Sequence, residues 1–140
     1  MAKGPKATDL KSIWLFSGCS GNELRKIRSS LDEVHVPAGK QLVKEGRIGQ
    51  QFFIIVEGRA AVTRNGRKVA TLGEGSHFGE LAMLDRRPRS ASVISETDMD
   101  VLVMSQRQFN GLLQSVPTIA RKLLSALASR LREADAKAFG

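Results

Sequence analysis

A mainly β fold with flanking helices, a β-roll or jelly roll, is the class that three observations predict. Between residues 34 and 104, short apolar stretches recur and glycine or proline cuts them apart. The pair Asn65-Gly66 separates two such stretches and signals a tight type I′ hairpin. On either side of this region the apolar spacing changes to three and four residues, the period of helices. At 140 residues, 41% hydrophobic and 26% charged, the chain suits one soluble domain with its own core. Within it we expect N-terminal helices over 8–33, the roll over 34–104 and C-terminal helices over 105–135.

The elements follow in order. Thr8 or Asp9 can cap a first helical turn whose apolar face is Leu10, Ile13, Trp14 and Phe16, with Trp14 expected in the core. Ser17-Gly18 stops that turn, and Ser20 with Glu23 forms a capping box ahead of Leu24, Ile27 and Leu31. Val34-His35-Val36 alternates as a strand and Pro37 ends it; Gln41 to Glu45 reads as a second strand. Phe52 to Val56 is apolar at every position, which predicts a strand covered on both faces. Residues 59–64 and 67–72 form the hairpin arms, His77 is read as a loop residue, and strands resume at 90–95 and 100–104. Ser105 and Gln108 make a second capping box before Phe109, Leu112 and Leu113. Pro117 opens the last helix, where its missing N–H costs nothing. Ala120, Leu124, Leu127, Leu131 and Ala134 then mark a seam of about two heptads. Such a seam fits a short coiled coil or a helix lying on its own barrel equally well.

The chemistry gathers in residues 78–93, FGELAMLDRRPRSASV. Gly79 lets a ligand approach the backbone without a Cβ in the way. Glu80 to Leu84 are good helix formers, so Gly79 is expected at a helix N-terminus, where N–H groups and the helix dipole attract an anion. Pro88 sends the chain on extended, and Arg89 follows with a planar fork suited to a phosphate diester. Ser90 and the N–H of Ala91 can add donors. A carboxylate beside a phosphate is repulsive, so Glu80 needs a donor of its own, and a ribose 2′-hydroxyl supplies one.

Phe-Gly-Glu-Leu-Ala, a spacer and Pro-Arg-Ser-Ala resemble the phosphate-binding cassette of cyclic nucleotide-binding domains. Those domains serve as sensors in bacterial catabolite activator-type proteins and in cyclic nucleotide-regulated kinases and channels. The resemblance implies that Glu80 binds the ribose 2′-hydroxyl and Arg89 the cyclic phosphate. Phe78, Gly79, Leu81, Ala82, Ser90 and Ala91 complete the pocket. It implies cyclic AMP as the expected ligand, with cyclic GMP as the alternative. By the same resemblance the last helix becomes a lid, with Leu124, Leu127 or Leu131 over the nucleotide. The family's adenine-contacting hydroxyls fall on Ala134 and Asp135, a departure that leaves only Asp135 able to accept from the adenine amino group.

Other functions find little support. His35 and His77 lack metal-ligand spacing, neither GxGxxG nor GxxxxGK occurs, and no nucleophile setting is recognisable, so we expect no metal, cofactor or catalysis. No stretch has the length of a membrane span, and the lone Cys19 fits a reducing cytoplasm. The net charge of +8 lies at the two ends, either for an acidic partner or simply as solvated helix faces. The basic residues are dispersed, which argues against nucleic acid. The expected role is a sensor that signals by moving its C-terminal helix to a protein effector, with a homodimer through 117–135 as a further expectation. The alternative is a DNA-associated regulator, or the sensor fragment of one.

Overall fold

A computed structural model describes residues 10, 13–79 and 88–139, with side chains up to 137. Thr8 and Asp9, and residues 80–87 with Glu80, Leu81 and Ala82, lie outside the described residues. A 3-10 turn, Trp14–Phe16, precedes α1, Gly21–Ser29. Eight strands follow: β1 Asp32–Val36, β2 Gln41–Val43, β3 Gln51–Glu57, β4 Ala60–Arg64, β5 Arg67–Leu72, β6 His77–Phe78, β7 Ser92–Ser95 and β8 Met99–Ser105. Two helices close the chain, α2 Gln106–Ser115 and α3 Pro117–Phe139.

The strands form two antiparallel sheets of four, ordered β1-β8-β3-β6 and β2-β7-β4-β5. Alternation along β3 and β8 explains how the layers stack. Phe52 and Ile54 of β3, with Leu102 and Met104 of β8, face the helices and pack with Phe16, Ile27, Phe109, Leu112 and Ile119. Their neighbours Phe53, Ile55, Val101 and Val103 face into the roll and meet Val43, Ala60 and Val93 of the second sheet. The strand expected to be covered on both faces is therefore the wall between two cores.

Local chemistry sets the element ends. Both capping boxes form: Ser20 Oγ accepts from the Glu23 N–H at 3.2 Å, and Ser105 Oγ accepts from the Gln108 N–H at 3.1 Å. Asn65 and Gly66 take positive φ values of 54° and 78°, as a type I′ turn requires. Burial pushes the Cys19 thiol pKa up, the Glu23 charge adds to this, and Lys122 opposes it.

Trp14 and His77 depart from expectation, the strand expected over 41–45 ends at Val43, that over 90–95 begins at Ser92, and β1 takes in Asp32 and Glu33 from the stretch expected to be helical. Trp14 is not a core residue: it is 47% exposed, while Leu15 and Phe16 beside it fill the core. His77 is not in a loop but in β6, opposite Ile54. A two-residue strand is too short to leave a period in the sequence.

Candidate functional site

Pairing of β6 with β3 places Phe78 opposite Phe53. Strand alternation turns Phe78 into the roll, where its ring stacks on Phe53 at 4.9 Å between centroids and 12° between planes. Gly79 leaves the strand with φ of +100°, a conformation that side chains rarely adopt. A Cβ on Gly79 would stand 2.6 Å from the Gln51 carbonyl oxygen and 2.7 Å from Nη1 of Arg89. Phe78, Gly79 and Arg89 are thus brought together.

Arg89 reaches the slot from the far side. Its backbone N–H donates to the Arg47 carbonyl at 2.8 Å, and its own carbonyl accepts from the Gly46 N–H at 2.8 Å. Pro88 bridges to Ile48 just before it. The residue is 8% exposed, and its Nη2 donates to the Gln51 carbonyl at 2.8 Å. Gly49 leaves it room: a Cβ there would fall 1.7 Å from Nε and 2.0 Å from Cζ. A guanidinium carries five donors, of which Gln51 takes one. Withdrawing a charge from water is costly unless charge or hydrogen bonds compensate, and the Gln51 carbonyl supplies one such bond where the two glycines leave room.

Ser90 is exposed and Ala91 half-buried, both directly after Arg89. The Ser90 carbonyl accepts from Arg64 Nε at 3.1 Å, which brings a second cation to this end of the stretch. Ser92 ties the same stretch to the turn after β2, accepting from the Glu45 N–H at 2.9 Å. Gly49, Gln51 and Arg64 were not expected at the site. The one signal in the sequence for this close approach is Gly49, where a side chain would collide with Arg89.

The helical lid residues lie elsewhere. α3 packs through Ile119 and Leu123, both buried. Leu124 and Leu131 are 65% and 63% exposed, Leu127 is half-buried, and Ala134 and Asp135 are exposed. A separate cleft of about 430 Å³ is lined by His35, Glu57, Gly58, Glu74, Asp98, Met99 and Asp100. Its four carboxylates would repel a phosphate. Among the described residues there is no group of three or more His, Cys, Asp or Glu able to hold a metal, and no helix long and apolar enough to cross a membrane.

The chain and its fold have counterparts among known proteins. Residues 33–116 match the family described as Cyclic nucleotide-binding domain. The Cyclic AMP receptor protein of Thermus thermophilus is 32% identical over 131 residues, 90% of this chain and 61% of that protein. A cAMP-dependent protein kinase regulatory subunit of Aspergillus niger is 36% identical over 115 residues, 81% of this chain and 28% of the subunit. Among solved structures, Thermus thermophilus Catabolite Activator Protein gives a TM-score of 0.80 at 33% identity, over 88% of this chain and 60% of that one. The regulatory domain of Toxoplasma gondii PKA, co-crystallised with cAMP, gives 0.75 at 29% identity, over 89% and 48%. This chain spans less than two thirds of each of these proteins. The family match runs from β1 through the roll to the end of α2 and includes the glycine-lined slot: the chain belongs to the cyclic nucleotide-binding domain family.

Proposed function

We propose that this chain is a sensor that binds a 3′,5′-cyclic nucleotide, cyclic AMP in preference to cyclic GMP, and signals by movement of its C-terminal helix to a protein partner in the cytoplasm. One observation carries the reading: the Arg89 guanidinium is held in a slot shaped by Gly49 and Gly79 at the end of β6. A planar cation fixed there is suited to two oxygens of a cyclic phosphodiester. Ser90 and the Ala91 N–H add donors, while Glu80 takes the ribose 2′-hydroxyl, with Leu81 and Ala82 beside it. The preference for cyclic AMP draws on the relatives, several of which carry that nucleotide in their names. The function is binding rather than catalysis.

α3 supplies the output. Its exposed Leu124 and Leu131 form an apolar stripe, with Leu127 half-buried between them, that can close over the purine or pair with a second copy of the chain. Asp135 is the residue of that helix able to accept from the adenine amino group. A second reading, a DNA-associated regulator or the sensor part of one, draws on the basic ends of the chain.

Calorimetry with cyclic AMP and cyclic GMP tests the site. Arg89→Ala strands a buried anion, a loss of several kcal/mol, so affinity should fall by about a hundredfold or more. Glu80→Gln should cost less and narrow the gap between ribose and 2′-deoxyribose ligands. Wild-type affinity in both variants would overturn the assignment.

A further inference from the structure

Trp14 occupies a place that neither the core nor the slot requires. It is half-exposed, yet it is held from two sides. The Trp14 ring stacks with the His77 ring at 6.4 Å between centroids and 15° between planes. The Lys122 ammonium stands 5.1 Å from the centroid of the indole. Two hydrogen bonds fix it there, one to the Trp14 carbonyl at 2.6 Å and one to Ser17 Oγ. Gly18 lies under the same helix, where a Cβ would touch Thr118 Cγ2 at 3.4 Å and Lys122 Cε at 3.7 Å.

The stack matters because of what each member belongs to. β6 turns its two residues to opposite layers. Phe78 enters the roll and stacks on Phe53, and Gly79 follows it to the Arg89 slot. His77 points towards the helices, 5.7 Å from the Phe52 ring, and meets Trp14. Lys122 belongs to α3, one turn beyond the buried Ile119 and beside Leu123. A line of contacts therefore runs from the slot through β6 and the N-terminal turn to the last helix.

We propose that the His77–Trp14–Lys122 stack couples the ligand slot to α3, with Trp14 as the positioning residue between them. The inference rests on the reading of the slot as the nucleotide site. Densely packed groups shift as units rather than bend, so a displacement of β6 carries the His77 ring with it. Trp14 must then follow or lose its stacking, and Lys122 carries α3 along through its bonds to the same turn. Each position of the slot is thereby tied to a position of the helix.

Hydrogen exchange on the wild type, Trp14→Leu and Lys122→Met tests this in two arms. Without nucleotide, Lys122→Met should speed exchange at 76–79 as well as at 117–125, by about two- to fivefold, the size of one exposed cation–π contact. A change confined to the 14–17 turn and α3 would overturn the coupling. With saturating cyclic AMP, the wild type should change its protection at both 76–79 and 117–135. Trp14→Leu should keep the response at 76–79 and lose it in α3; a wild-type response in α3 overturns the proposal. Should Trp14→Leu not fold, Lys122→Met carries both arms. If the wild type binds no cyclic nucleotide, the reading of the slot fails and the first arm alone decides whether the stack couples the two elements.

Discussion

Gly49 and Gly79 shape the slot by the atoms they lack. A methyl on Gly49 would sit 1.7 Å from Arg89 Nε, so the guanidinium must leave its place. We predict that Gly49→Ala keeps the fold, as an unchanged circular dichroism spectrum would show, but lowers cyclic AMP affinity by about tenfold or more in calorimetry. Near wild-type affinity would mean that the slot widens freely. Gly79 and Arg89 were legible in the sequence because one short stretch carries both with its spacing intact. Gly49 and Gln51 were not, since they come from an earlier loop and strand and meet Arg89 through tertiary pairing, the bridge of Ile48 with Pro88 and the backbone bonds of Arg89 to Gly46 and Arg47. Trp14 was misplaced for a similar reason. An indole on an apolar helical face normally belongs to a core, whereas this one is held by His77 and by Lys122 from distant segments.

Among the elements, β3 declared itself because every position along its centre is apolar, the pattern of a doubly covered strand, and β8 shares that pattern at 101–104 although only a strand was expected there. β6 did not, since two residues carry no alternation. α3 was legible in its start, though it runs to Phe139 rather than 135, and not in its orientation. Its seam of Ala120, Leu124, Leu127, Leu131 and Ala134 is the face that helical spacing makes conspicuous. The face packed against the rest of the chain uses Ile119 and Leu123 instead. The proximal part of α3 therefore anchors the helix, and the distal part is available for the lid. Truncation after Ser125 keeps Ile119, Lys122 and Leu123, so the domain should stay folded by thermal melting. Its affinity for cyclic AMP should fall about tenfold, the range of ordinary coupling between sites. Unchanged affinity would exclude the distal helix from nucleotide binding.

For the molecule as a whole, a net charge of +8 sets up a long-range attraction for polyanions without a dense patch to focus it. Gel shifts should show weak retardation of any duplex at low salt, fading as salt rises, because counterion release dominates such contacts. Preference for one duplex over a scrambled competitor at physiological salt would instead favour the DNA-associated reading. The wall formed by β3 and β8 has a thermal consequence. Phe52, Ile54, Leu102 and Met104 belong to one core, and Phe53, Ile55, Val101 and Val103 to the other, on the same two strands. Neither core can melt while the other keeps those strands in register, so heating should produce a single cooperative transition. A ligand bound on the roll side would then raise the temperature at which α1 and α2 unfold, since mass action stabilises the whole cooperative unit. Heat would find no weak half to open first.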